Sequence, residues 1–239
     1  MMNLRRAATA FLIPAALLIL MPSASSFAQT KPADLDTVLH EMDQASARFK
    51  SAEADFRWDI YERVVKETTT QTGSIYFIKK GSALQMGAQF KPPTAKFVEY
   101  KNGSVQLFDP GADHLTIIKA GNNQAQAESL LTLGFGGSGS ELSKAWTITD
   151  LGTEQLNDGS KMVTTTKLDL VPKDPNMRNT FTHILLWVDP TRAISLKQQF
   201  FMPSEDQRTT YFTNIRYNQS VNTKPFAIKT DKSTTVDRR

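Results

Sequence analysis

Between Asp55 and Arg216 the chain is a succession of short apolar–polar alternations at hairpin spacing, separated by turn signals and interrupted once by helix. A period of two sends successive side chains to opposite faces of a strand, so each run commits one face to a core. In the first run Phe56, Trp58, Ile60 and Val64 alternate with Asp55, Arg57, Asp59 and Arg63. Further strands are predicted over 73–79, 83–90, 96–101, 104–108, 114–119, 146–154, 161–170, 181–188, 193–202 and 209–216. Asn102-Gly103 marks a tight hairpin, and Asp109-Pro110-Gly111, Asn157-Asp158-Gly159 and Asp189-Pro190 mark further turns. With no helix between successive strands of either run, the pattern argues for a meandering antiparallel sheet over a parallel α/β one. A sheet of about ten or eleven strands curls instead of staying flat. The fold class is therefore α+β, mainly β: a strongly curved antiparallel sheet forming an incomplete barrel.

Two helical regions stand apart from this period. Over 34–50, Leu35, Val38, Leu39, Met42, Ala45 and Phe49 fall on one helical face, with Asp34 placed as N-cap. Over 123–133 a short helix carries Ala125, Leu130 and Leu131, and it runs into Gly134-Phe135-Gly136-Gly137-Ser138-Gly139. Ser140-Glu141-Leu142 opens one more helical turn. Glycine permits backbone conformations that other residues resist, so this stretch reads as a flexible connector between lid-like helices and the sheet.

The N-terminus bears on compartment. Met1-Met2-Asn3-Leu4-Arg5-Arg6 is a basic start, an apolar run with Pro14 follows, and Ser26-Phe27-Ala28 offers a cleavage site. Residues 1–28 are thus expected to be a cleavable secretion signal, and 29–239 a single domain acting in the periplasm. The chain has no cysteine, which excludes disulfides, thiolate metal sites and a thiol nucleophile. It also leaves no residue to carry lipid chains at the cleavage point, so a form free of any lipid anchor is expected. Without the two signal arginines the formal charge falls from +4 to +2, too near neutral to imply a nucleic-acid partner.

Catalytic and metal motifs are not found. His40, His114 and His183 lie on different predicted elements with no metal-ligand spacing, and no Gly-x-Ser-x-Gly elbow occurs. The stretch 134–139 resembles a dinucleotide fingerprint, but it follows a helix and precedes antiparallel strands, where a βαβ unit is required. No cofactor, no metal and no enzymatic activity are expected. What remains is apolar surface: Phe56, Trp58, Ile60, Ile75, Phe77, Leu84, Met86, Phe90, Val105 and Leu107 fall on one face of the first strands. On a curved sheet such side chains either fill a core or line a cavity.

The mature chain resembles the periplasmic outer-membrane lipoprotein carrier family (LolA-like). The resemblance runs through the N-terminal helix, Ala54-Asp55-Phe56, Gly73-Ser74-Ile75-Tyr76-Phe77-Ile78-Lys79-Lys80, and the Asn102-Gly103 turn leading by Val105-Gln106-Leu107-Phe108 to Asp109-Pro110. It continues at Asp206-Gln207-Arg208-Thr209-Thr210-Tyr211 and Thr234-Thr235-Val236-Asp237. It implies an open barrel with a helical lid over an apolar cavity that holds the acyl chains of lipoproteins or lipid. The cavity would be lined by Phe56, Trp58, Ile60, Ile75, Phe77, Leu84, Met86, Val105 and Leu107, with Leu130, Leu131 and Phe135 contributed by the lid.

Partners implied are acylated lipoproteins, an inner-membrane releasing transporter and an outer-membrane acceptor, with the carrier a monomer. Where many members carry an Arg-Pro pair linking barrel and lid, this chain has Lys79-Lys80-Gly81. The latch is assigned to Lys79, with Lys80 the alternative, although lysine lacks arginine's planar fork. The rival readings are a periplasmic sensor on the same scaffold, expected to need a C-terminal domain beyond Phe226, a general lipid-binding protein and an exported hydrolase.

Overall fold

Helix α1 spans Leu35–Arg48, where the apolar spacing placed it, and buries Val38, Met42 and Ala45. Asp34 holds the N-cap position without using its side chain; its carbonyl accepts the Val38 amide at 3.1 Å. The computed structural model describes residues 34–81, 83–119, 121, 124–131 and 133–239, and the expected signal segment 1–28 lies outside them.

Strands β1 (Ser51–Glu62), β2 (Glu67–Lys80), β3 (Ala83–Phe90), β4 (Lys96–Lys101), β5 (Ser104–Asp109) and β6 (His114–Lys119) form a first meander. Helices α2 (Gln124–Leu131) and α3 (Gly139–Ala145) follow. A second meander comprises β7 (Trp146–Asn157), β8 (Met162–Pro172), β9 (His183–Asp189), β10 (Ile194–Phe201) and β11 (Gln207–Tyr217), with the single turn α4 (Pro175–Arg178) between β8 and β9. The tail adds a 3-10 turn at Lys224–Phe226 and β12 (Thr235–Arg238).

All twelve strands belong to one open sheet, ordered β12-β6-β5-β4-β3-β2-β1-β11-β10-β9-β8-β7. The two meanders join through antiparallel pairing of β1 with β11. Because β6 and β7 sit near opposite edges, the chain between them has to cross the sheet, and that crossing carries α2, the glycine-rich stretch and α3 over one face. The β4–β5 hairpin is closed by Asn102 and Gly103 at φ 52° and 70°, the left-handed pair that a two-residue turn requires.

The first strand stops short of the sequence reading: β1 ends at Glu62, and Val64, expected on its buried face, lies in the following turn and is exposed. Beside α4 and the 3-10 turn, two strands exceed that reading. Strand β2 begins at Glu67, six residues before the start at 73, because the threonine-rich run 67–72 pairs with β1 out to Glu62 while burying little. Strand β12 is exposed at every side chain and is held by parallel backbone pairing with β6, which leaves no hydropathy signal to read.

The inner face of the sheet holds two cores. One gathers Val38, Met42, Leu142 and Trp146 against Leu168, Leu170, Ile184 and Leu186, so α1 and α3 cover the β8–β9 side. The other gathers Phe49, Ala54, Phe56, Phe77, Met86, Tyr100 and Phe212 around Phe135 on the β1–β4 side.

The glycine-rich stretch differs from the flexible connector expected of it. Phe135 forms an antiparallel bridge with Ile194. Backbone bonds run from Ser195 N to Gly134 O at 2.5 Å and from Gly136 N to Ala193 O at 2.8 Å. Gly134 and Gly136 are buried, with φ +84° and +75°, and a Cβ on either would lie 2.3 Å from Ser195 or 2.4 Å from the Phe49 ring. These glycines serve a close, left-handed docking of backbone onto β10.

Candidate functional site

Phe135 defines the site. Its ring stacks on Phe77 at 4.3 Å and meets Phe212 edge-on at 4.8 Å. Beside this stack lies a cavity of about 230 Å³, walled by Phe56, Trp58, Ile75, Phe77, Met86, Ala88, Phe90, Leu130, Leu131, Leu133, Phe135, Gln198, Thr210 and Phe212. Register explains the grouping. Gly73 pairs with Phe56 on one side and Phe90 on the other, and the absence of its side chain lets those two rings meet at 5.0 Å. A Cβ at Gly73 would sit 2.5 Å from the Phe56 ring. Ile75 and Ala88 form the next row, and Phe77 and Met86 the one after.

Of the residues that the sequence reading assigned to a cavity, the structure brings together Phe56, Trp58, Ile75, Phe77, Met86, Leu130, Leu131 and Phe135. Ile60, Leu84, Val105 and Leu107 do not line it. Ile60 lies one register step past Trp58, between Thr69 and Arg208, toward the hairpin end. Leu84 is packed into the core one row beyond Met86, opposite Lys79. Val105 and Leu107 have the correct parity, but β5 lies two strands beyond β3; Val105 packs on the core and Leu107 is exposed. Phe90, read on the same strand face but not among the cavity residues, joins the wall, and Ala88, Leu133, Gln198, Thr210 and Phe212 complete it without being picked out from sequence. Three of them reach it only through the β1–β11 junction.

Beside the backbone bonds that dock Phe135, side-chain bonds hold the α2 part of the cover. Gln198 donates from Nε2 to Leu133 O at 2.5 Å, tying the end of the α2 segment to β10. The buried Tyr100 hydroxyl donates to Glu128 Oε1 on α2 at 2.5 Å. Burial, then that bond and the Glu128 charge, push the Tyr100 hydroxyl well above the usual tyrosine range, so it stays a donor. Lys79 Nζ reaches Ser46 O in the last turn of α1 at 3.4 Å, a long contact that joins the sheet to α1 and not to α2. Lys80 is exposed on the other face.

Larger hollows occur elsewhere. One of about 800 Å³ lies between hairpin ends, and one of about 430 Å³ lies beside α1. Their walls carry Arg63, Lys66 and Glu205, or Lys79, Glu128 and Glu141, and neither is a continuous apolar surface. Among the described residues no group of three or more His, Asp or Glu side chains is arranged to hold a metal ion. No helix among them is long and apolar enough to cross a membrane.

The fold has counterparts among solved structures. Its structural neighbours include a LolA-superfamily protein, NE2245 from Nitrosomonas europaea, at 11% identity over 82% of this chain and 98% of that one, with a TM-score of 0.38. MucB matches at 13% identity and a TM-score of 0.52, over 83% of this chain and 65% of that one, so this chain spans less than two thirds of MucB. An uncharacterized conserved protein from Thermus thermophilus matches at 12% identity and a TM-score of 0.51, over 85% and 98% of the two chains. The likenesses to MucB and to the Thermus thermophilus protein are of fold. No protein-family model matches the chain, and no curated protein sequence matches it.

Proposed function

We propose that this protein is a non-enzymatic periplasmic carrier that takes acyl chains of lipoproteins or lipids into the cavity beside Phe135. In this role it ferries them from the inner to the outer membrane. The observation that carries the reading is an apolar hollow walled by six aromatic rings and covered by a short segment of the β6–β7 crossing. At about 230 Å³ the hollow is below the ~300–1,000 Å³ of ordinary small-molecule sites, so an acyl chain enters by displacing the cover. A chain that buries about ten methylenes gains roughly 8 kcal/mol at about 0.8 kcal/mol each. That outweighs breaking the two polar bonds that hold Leu133 and α2, at about 0.5–3 kcal/mol each, while Phe135 stays docked on β10. Release needs the reverse motion, and an α2 segment held by two such bonds permits it.

The test is to isolate the protein from the periplasm, analyse bound material by mass spectrometry, and titrate the emptied protein with an apolar fluorescent dye. Copurifying lipid or lipopeptide and one saturable dye site are expected. Failure of both overturns the reading, and capture of a transmembrane regulator in place of lipoprotein replaces it with the sensor role.

A further inference from the structure

The cavity wall is not uniformly apolar, and its polar atoms fall in one line. Trp58 on β1 pairs with Thr210 on β11, and Thr210 pairs with Gln198 on β10, so three cross-strand neighbours form one row across the wall. Adjacent members of such a row lie about 5 Å apart. All three line the cavity. Among the described residues the Trp58 indole N–H and the Thr210 hydroxyl have no hydrogen-bond partner, and Gln198 uses only an amide N–H, on Leu133 O. None of their polar atoms is both buried and unpaired, so each of these unpaired atoms stays reachable from open space.

The neighbouring rows lack this character. One step inward are Gly73, Phe56 and Phe212, and further in are Ile75 with Ala88 and Phe77 with Met86. One step outward, Ile60 faces Arg208 on the same side of the sheet. Polarity therefore rises in one direction, from aromatic depth through a hydrogen-bonding row to a cation at the rim. Open to the cavity and without a protein partner, the Trp58 indole N–H and the Thr210 hydroxyl are free to bond a ligand that enters it.

Resting on the carrier reading, we propose that the Trp58–Thr210–Gln198 row binds the carbonyl linkage of an acyl ester or amide. The chain would run inward toward Phe77 and Phe135, with the remainder of the molecule directed to the Ile60–Arg208 rim. Two adjacent donors, the indole N–H and the threonine hydroxyl, suit one carbonyl oxygen. The Gln198 carbonyl oxygen accepts an amide N–H when the linkage is an amide. The row thus sets the depth at which the ligand stops and selects acyl derivatives over plain hydrocarbon.

The experiment is displacement of the apolar dye by methyl decanoate and by an alkane of the same chain length. It uses the full chain and three variants: Thr210→Val, Trp58→Phe and, as a control on the apolar wall, Ile75→Val. Wild type is expected to prefer the ester by about fivefold to tenfold. Thr210→Val and Trp58→Phe should each remove most of that preference, read as the ratio of ester to alkane affinity; Ile75→Val should shift both ligands together and leave that ratio in place. Infrared spectra of the bound ester supply a second readout, a carbonyl stretch lowered in wild type and restored upward by Thr210→Val. Equal affinities in wild type, or equal losses for both ligands in Thr210→Val with an unmoved carbonyl stretch, overturn the proposal and leave the carrier reading standing. Failure of both ligands to displace the dye from wild type overturns both.

Discussion

The two sides of the inner face obey the same strand period yet end differently. Across β8 and β9, Leu168, Leu170, Ile184 and Leu186 are fully buried beneath Val38 and Met42 of α1 and Leu142 of α3. Across β1, β2 and β3, Phe56, Ile75 and Met86 meet a cavity, with the end of α2, Leu133 and Phe135 above them among the described residues. The first side is covered by a 14-residue helix with a continuous apolar face, and the second by an 8-residue helix and one docked ring. Strand alternation thus supplies an apolar core on both sides, and the covering element decides which packs without a gap and which keeps a binding space.

The sharpest way to break this contrast is a matched pair of truncations. Leu168→Ala should cost about 2–5 kcal/mol, as a buried leucine in a packed core does, and leave dye affinity unchanged. Ile75→Ala, already beside open space, should cost roughly half as much and weaken dye binding severalfold. Urea denaturation and dye titration read the two quantities; equal stability losses would show that both sides are core.

An effect of similar size tests the docking of the cover. Gly136→Ala forces a left-handed backbone on alanine, about 1–2 kcal/mol, and drives a methyl group into the Phe49 ring, adding about 1–3 kcal/mol. Loss of stability accompanied by weaker dye binding is expected, because Phe135 is seated by the same backbone. A change below about 0.5 kcal/mol would return the stretch to the role of a loose connector.

The smallest effect concerns the lysines. Lys79→Ala removes a long contact to the α1 C-terminus and should lower stability by about 0.5 kcal/mol, within the range of such terminal cations. Lys80→Ala should change nothing measurable. A large loss of dye binding in Lys79→Ala alone would instead make Lys79 a latch of the cover.

The legible parts of this protein are those written in local period. Helix α1, the strand faces of Phe56, Trp58, Ile75, Phe77 and Met86, and the Asn102-Gly103 turn could be read because adjacent residues decide them. For Leu84, Val105 and Leu107 parity leaves core or cavity open and the family resemblance implies a cavity, but parity says which face a side chain takes and not how far along the sheet a cavity extends. Phe212, Thr210 and Gln198 escape a sequence reading because β11 meets β1, with β10 behind it, only after the second meander has closed onto the first. The glycines at 134 and 136 were misread because conformational freedom and close packing select the same residue.

By itself the sequence determined a curved antiparallel sheet, one amphipathic helix and an excess of apolar side chains on one face, since propensity and period act between neighbours. Tertiary structure alone decided that the β6–β7 crossing would dock Phe135 between Phe77 and Phe212, and that a polar row would stand at one side of the resulting space. Those outcomes depend on pairings between residues far apart in the chain. Their geometry is set by strand order and by what happens to lie above each strand.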